Sequence, residues 1–415
     1  MFDQITLPSG LRVIGEKLTS VQSCTVGCWV KVGSMNEAPE ENGVSHFIEH
    51  MVFKGTQNRS AKQIAEEMDM VGGQLNAFTS KECTCYYAKV IDSDLELAVD
   101  ILSDLALRPT FDNGELQKER GVVLEEISMV EDTPEDLVHE LLCDVQYSGS
   151  LRCPILGTSE LIKGYSRDDL LRYWRRHYVP QNMVLAIAGN YDWDAFLSLV
   201  TRYFDAFPNT HGEEAPFVPQ TFVSGRKARE KDAEQLQICM GFPGVPADSD
   251  ELYTLSVLNN ALGGGMSSRL FQRIREELGM AYSVYTYSSS YRGMGSFVVY
   301  AGTSPENAKT VIDEMRSQLA LFTEQGISDK EFLSAKAQLR SGFVLGLESS
   351  SGRMQALGRR LLLMGDTRTP EETLAKIEAV TMNGMMALAS RMLSAKPSAA
   401  IVGKHAQKYL DMIGG

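Results

Sequence analysis

The residues best suited to chemistry lie in one short run, His46-Phe47-Ile48-Glu49-His50. Residues 43–53 alternate in the manner of an amphipathic helix. At about 100° per residue, His46 and His50 fall about 40° apart on one face, and Glu49 lies about 60° to the other side of His46. Two imidazoles at i and i+4 can share one cation, with a carboxylate beside them that need not ligate. Phe47, Ile48, Met51 and Val52 cover the remaining faces. The helix is therefore expected to be buried, and its polar cluster needs a partner, which a metal ion provides. A catalytic zinc takes three protein ligands and keeps one position for water, so a third ligand must come from elsewhere. An acidic helix expected over residues 112–129 is the best source. Glu119 and Glu126 are two helical turns apart and face the same way, whereas Glu125 points about 100° aside.

The elements that must position these residues recur along the chain. In the first half, strands are expected at 24–32, 75–79 and 83–91, and helices at 43–53, 61–71 and 93–107. The second half repeats the order, with strands at 236–242, 281–288 and 293–301 and helices at 249–262, 268–278 and 305–322. A charged amphipathic helix then follows in each half, at 112–129 and 328–347. Matching Ile48 to Leu258 gives an offset of 210 residues, and matching Asp112 to Ser328 gives 216. Such agreement implies a duplicated α+β unit, each copy a mostly antiparallel sheet with helices packed on it. The expected domains are 1–210, which carries the metal site, and 230–415, which does not. A linker rich in Pro, Gly and charge is expected over 211–229.

Composition narrows the function. The chain has 415 residues, too many for one hydrophobic core, with 43% hydrophobic and 23% charged residues, ordinary for a globular protein. No stretch approaches the ~18 apolar residues of a membrane span, and the first residues lack the pattern of a secretory signal. The seven cysteines form no C-x-x-C, so neither a disulfide framework nor a zinc ribbon is expected, and the reducing cytoplasm is the expected compartment. The net charge of −14 falls entirely within residues 1–210. A surface of that sign repels phosphate, so nucleic acid is not an expected partner, and it attracts cationic peptides.

The order H-x-x-E-H is the inverzincin pattern. Over nearly its whole length the sequence resembles the pitrilysin/insulinase metallopeptidase family, most closely the short-chain branch of mitochondrial processing peptidase subunits and bacterial processing-type peptidases. The resemblance is carried by the run from Gly43 through His46, Glu49 and His50 to Lys54-Gly55-Thr56, by Gly73-Gln74-Leu75-Asn76-Ala77-Phe78-Thr79, and by Glu119 through Glu126. Ile155-Leu156-Gly157 and the run Tyr178-Val179-Pro180-Gln181-Asn182-Met183 add to it. It implies that His46, His50 and Glu126 hold one zinc ion per chain, that Glu49 is the general base, and that Glu119 supports the site. It also implies a zinc endopeptidase of peptides or unfolded segments, working as a homodimer because long relatives join four such domains and this chain has two.

The resemblance extends to substrate contacts. The segment Ile274 to Tyr282 resembles one whose Arg and Tyr reach the substrate, which implicates Arg275 and Tyr282. Asn76, Ala77 and Phe78 match an edge strand to which an extended peptide adds. Asp136 and Glu140 match positions that hold a basic substrate residue. Under the repeat, His46, Glu49 and His50 correspond to Ser256, Asn259 and Asn260, so no second metal is expected. Gly263-Gly264-Gly265 lacks the G-K-[ST] ending of a phosphate loop. His139, His177, His211 and His405 read as ordinary surface or interface residues, and Cys83 and Cys85 as neighbouring core positions. Two other functions fit the family: a non-catalytic subunit or scaffold, and a peptidase dedicated to one precursor peptide.

Overall fold

The computed structural model describes residues 2–204, 207 and 219–413. The chain forms two compact units, and neither is a continuous half. The first comprises Met1–Ile127, Cys153–Val218 and Leu345–Thr367; the second comprises Ser128–Arg152, Pro219–Val344 and Arg368–Gly415.

The first unit is built on a six-stranded sheet. Its strands are β1 (Asp3–Thr6), β2 (Arg12–Lys17), β3 (Ser23–Val30), β4 (Gln74–Thr79), β5 (Thr84–Ile91) and β6 (Met183–Gly189), in the order β1-β2-β6-β3-β5-β4. Only β2 and β6 run parallel; the other neighbours are antiparallel. The second unit holds β7 (Arg226–Glu230), β8 (Leu236–Pro243), β9 (Ala281–Tyr291), β10 (Met294–Thr303) and β11 (Ser398–Gly403), in the order β7-β11-β8-β10-β9. Again one pair, β7 and β11, is parallel and the rest are antiparallel. Apart from β1, the two sheets share one plan, as a duplication requires.

Central strands such as β6 and β10 are buried at every residue, which requires cover on both faces. In the first unit one face packs against the Val44–Val52 and Leu95–Leu107 helices through Val26, Phe47, Ile48, Met51, Ala98 and Leu102. The other face lies under the Ser350–Met364 helix, where Trp29, Cys85 and Val184 meet Met354, Leu357 and Leu361. That helix approaches the sheet closely: a Cβ on Gly358 would sit 2.1 Å from Trp29 Nε1. Thr25 Oγ1 and Ser350 Oγ are 2.8 Å apart, and Arg12 donates to the Leu361 carbonyl at 2.9 Å. In the second unit the Pro134–Gln146 helix plays the same part, setting Val138, Leu141 and Leu142 against Cys239, Val298, Ala400 and Val402. Each sheet is thus closed by a helix from the opposite half of the sequence.

Of the expected linker, residues 211–218 lie outside the described residues, and its end is not a linker at all. Arg226–Glu230 form β7, parallel to β11. Its charged residues fit an exposed edge strand, whose hydrogen bonding does not depend on an apolar pattern. The helix expected at 268–278 is, over Phe271–Glu277, a π-helix. Among the described residues, no helix is long and apolar enough to cross a membrane.

Candidate metal centre

The Val44–Val52 helix starts at Gly43, whose φ of 91° is left-handed and whose Cβ would lie 2.6 Å from the Gly157 Cα, so only glycine fits. Gly43 offers no capping side chain. Glu37, from the preceding loop, does so instead. Its two oxygens accept from the Gly43 and Ser45 backbone N–H groups at 2.8 Å each, and from Asn42 Nδ2 at 3.1 Å. A carboxylate at a helix N-terminus satisfies free donors and opposes the dipole. Burial pushes the Glu37 carboxyl up, and these donors pull it down.

Phe47, Ile48, Met51 and Val52 are fully buried, which turns His46, Glu49 and His50 to the opposite face. The Asn113–Asp132 helix buries Leu116, Glu119 and Val123 and brings Glu126 alongside. His46 Nε2 lies 3.6 Å from Glu126 Oε2, and His50 Nε2 lies 3.6 Å from Glu126 Oε1. One ligand atom from each of His46, His50 and Glu126 falls within 4.8 Å of the others, and among the described residues this group alone could hold a metal ion. The 3.6 Å separations are too long for hydrogen bonds. Each is close to the ligand–ligand separation of about 3.4 Å expected for bonds of about 2.1 Å to zinc, the two histidines facing different oxygens of Glu126. Burial, with a smaller push from His50, takes the His46 imidazole down to about 3, so it is neutral with a lone pair to give. The donor set therefore fits zinc.

Glu49 is not among the three. Thr79 Oγ1, at the end of β4, donates to its Oε2 at 2.5 Å. Burial pushes the Glu49 carboxyl up, and the Thr79 hydroxyl pulls it down. Glu119, 6% exposed in its side chain, sets Oε1 2.6 Å from Lys54 Nζ and Oε2 3.8 Å from His50 Nδ1. Glu125 is exposed.

Asn76, Ala77 and Phe78 lie on β4, which pairs only with β5 and so leaves an open edge. Phe78 packs edge-on against Trp29, with ring centroids 5.7 Å apart. The remaining sequence-derived candidates belong to the second unit. There the Arg275 guanidinium lies over the Phe271 and Tyr282 rings, 4.8 and 5.2 Å from their centroids, and Tyr282 is 76% exposed. Asp136 is exposed and Glu140 half-buried on the Pro134–Gln146 helix.

Two of the histidines read as ordinary surface or interface residues are packed inside a unit, His139 half-buried and His177 buried. His139 sits among aromatic rings, with Nδ1 2.8 Å from the Tyr287 hydroxyl and Nε2 3.2 Å from that of Tyr285. His177 is 3% exposed, receives a hydrogen bond from Arg176 Nε at 2.9 Å, and is pushed by burial down to about 4. Both lie on helix faces turned into a core, where an aromatic setting accepts a neutral imidazole. Cys83 and Cys85 are buried free thiols. Glu37, Thr79 and Lys54 had no chemistry attached to them by motif or spacing. A carboxylate six residues ahead of a capless glycine was the one signal for Glu37.

Comparison with known proteins places these features in context. The insulinase family (peptidase family M16) matches residues 12–159, and the peptidase M16 inactive domain matches residues 164–339. The chain is 40% identical to an uncharacterized zinc protease of Bacillus subtilis, with 97% of this chain and 98% of that protein aligned. It is 39% identical to one of Streptomyces coelicolor, over 98% and 92%. Its fold is that of a protease from Helicobacter pylori (TM-score 0.92, 20% identity, 97% of this chain and 99% of that one). A peptidase M16 inactive domain structure from Pseudomonas fluorescens is also similar (TM-score 0.90, 18% identity, 97% and 98%).

Proposed function

We propose that this chain, which belongs to the insulinase family of peptidases (M16), is a zinc-dependent endopeptidase. The observation that carries the reading is the convergence of His46, His50 and Glu126, one ligand atom from each lying within 4.8 Å of the others. His46, His50 and Glu126 would hold zinc, which would supply Lewis acidity and make water acidic enough to be deprotonated near neutral pH. Glu49, beside but outside the ligand set, takes the proton of the attacking water and returns it to the leaving amine. Thr79 keeps one Glu49 oxygen occupied and so fixes which oxygen is free to do this. The open edge of β4 offers main-chain groups to an extended peptide, which gives affinity with little demand on sequence.

Arg275 and Tyr282 are read as substrate contacts, with Tyr282 donating to the developing oxyanion. Its exposure and its position beside a cation support that reading. The acidic excess, with Asp136 and Glu140, supports a preference for Arg or Lys near the scissile bond. A homodimer is the proposed assembly. The test is metal analysis together with a quenched peptide, with and without phenanthroline. Stoichiometric zinc and chelator-sensitive turnover are expected, and Glu49→Gln is expected to keep the zinc while losing about 10²- to 10⁴-fold in kcat. A zinc-free protein without turnover would instead be a scaffold.

A further inference from the structure

Of the two histidines, only His50 has a carboxylate behind it, and that carboxylate is itself held. Glu119 is buried, and its two oxygens face different partners. Oε1 meets Lys54 Nζ at 2.6 Å. Oε2 has no hydrogen-bond partner and faces His50 Nδ1 across 3.8 Å. His50 presents its other nitrogen, Nε2, to Glu126. We infer that Lys54 is a positioning residue for the metal ligand His50, acting through Glu119. This rests on the zinc reading given above.

The physical reasoning is direct. An acceptor at Nδ1 selects the tautomer that leaves the Nε2 lone pair for a metal, and it fixes the plane of the ring. For Glu119 to be that acceptor, its charge must stay in a buried place and one oxygen must stay aimed at His50. Lys54 does both. Its stem, one third exposed, brings the ammonium in from solvent and pins Oε1. Remove the cation, and Glu119 is a buried charge without compensation, which is strongly unfavourable. The carboxylate then swings toward water, and the acceptor that faces Nδ1 across 3.8 Å is withdrawn. Lys54 can hold this position because it lies immediately beyond the helix that carries His50, with its own backbone N–H bonded to the Met51 carbonyl at 3.1 Å.

The duplicated half supplies an independent observation. At the same offsets of 210 and 216 residues, Gly264 stands for Lys54 and Ala335 for Glu119. A pair needed merely to hold the fold would be needed in both copies. Both of its members are absent where the ligands are absent.

The experiment measures zinc affinity by competition with a chromophoric chelator, alongside thermal melting of the metal-free protein. Lys54→Met is expected to weaken zinc binding about 10- to 100-fold, to lower the metal-free melting temperature because a buried charge loses its partner, and to regain turnover as free zinc is raised. Lys54→Arg restores affinity, and Lys54→Met adds nothing in a Glu119→Gln background. If Lys54→Met does not fold, Lys54→Gln serves in its place. Zinc affinity within twofold of wild type in these variants overturns the inference alone, as does full additivity with Glu119→Gln. A wild-type protein that binds no zinc overturns the function and this inference together.

Discussion

The two units share a sheet plan and differ in what their helices carry. The Val44–Val52 helix presents His46, Glu49 and His50; its counterpart, Leu252–Leu262, presents Ser256, Asn259 and Asn260. The Asn113–Asp132 helix supplies Glu119 and Glu126, and the positions that match them on Asp329–Gly346 are Ala335 and Gly342. Where His50 turns Nδ1 toward Glu119, Asn260 donates from Nδ2 to the Ala335 carbonyl at 3.2 Å. The scaffold therefore tolerates neutral amides at these places, and the charged set in the first unit is not a demand of folding. The lesson is that the candidate metal centre is a handful of side chains laid on a frame whose second copy stands without them.

The sharpest way to break the comparison is to make the first unit resemble the second. His50→Asn, the residue its counterpart carries, is expected to abolish stoichiometric zinc and peptide turnover while the metal-free protein still melts cooperatively, as read by metal analysis and calorimetry. Full activity in that variant would sink the proposed centre. A smaller effect is expected from the second unit. Tyr282→Phe removes the donor proposed for the oxyanion and is expected to cost about 10²-fold in kcat, with zinc content untouched; Arg275→Ala should lower kcat/KM as well. If both variants stay within twofold of wild type, the second unit is scaffold only.

The smallest expected effect concerns pH. The proposed base, Glu49, can act only when ionised, and burial pushes its carboxyl up from the ordinary value, so activity is expected to be lost as pH falls through its pKa. Thr79→Val deletes the hydroxyl that pulls the value down. The acid limb of kcat/KM should therefore move to higher pH, and a limb that stays in place would show that Thr79 does not act on Glu49.

Much of this was legible in the sequence for definite reasons. Apolar residues at helical spacing around His46 and His50 marked a helix with one polar face, and the helix runs Val44–Val52. Glu119 and Glu126 share a face because seven residues make two turns. Periodicity states which face is covered but not by what. For that reason neither the Pro134–Gln146 helix nor the Ser350–Met364 helix was legible in the sequence as the cover of the opposite half's sheet. Partners that act through one hydrogen bond, such as Glu37, Thr79 and Lys54, leave no periodic trace at all. His139 was missed on the same ground, since the tyrosines around it lie about 150 residues away in sequence.

The exchange of covering helices bears on how the molecule comes into being. On the ribosome, β1 to β6 emerge long before Ser350–Met364, so Trp29 and Val184 must wait with one side of their sheet bare while the chain between β6 and that helix is synthesised. The nascent protein has to keep that greasy surface from sticking to anything else, and the helices that carry the candidate metal ligands pack on a sheet that is fully clad only once Ser350–Met364 has been made.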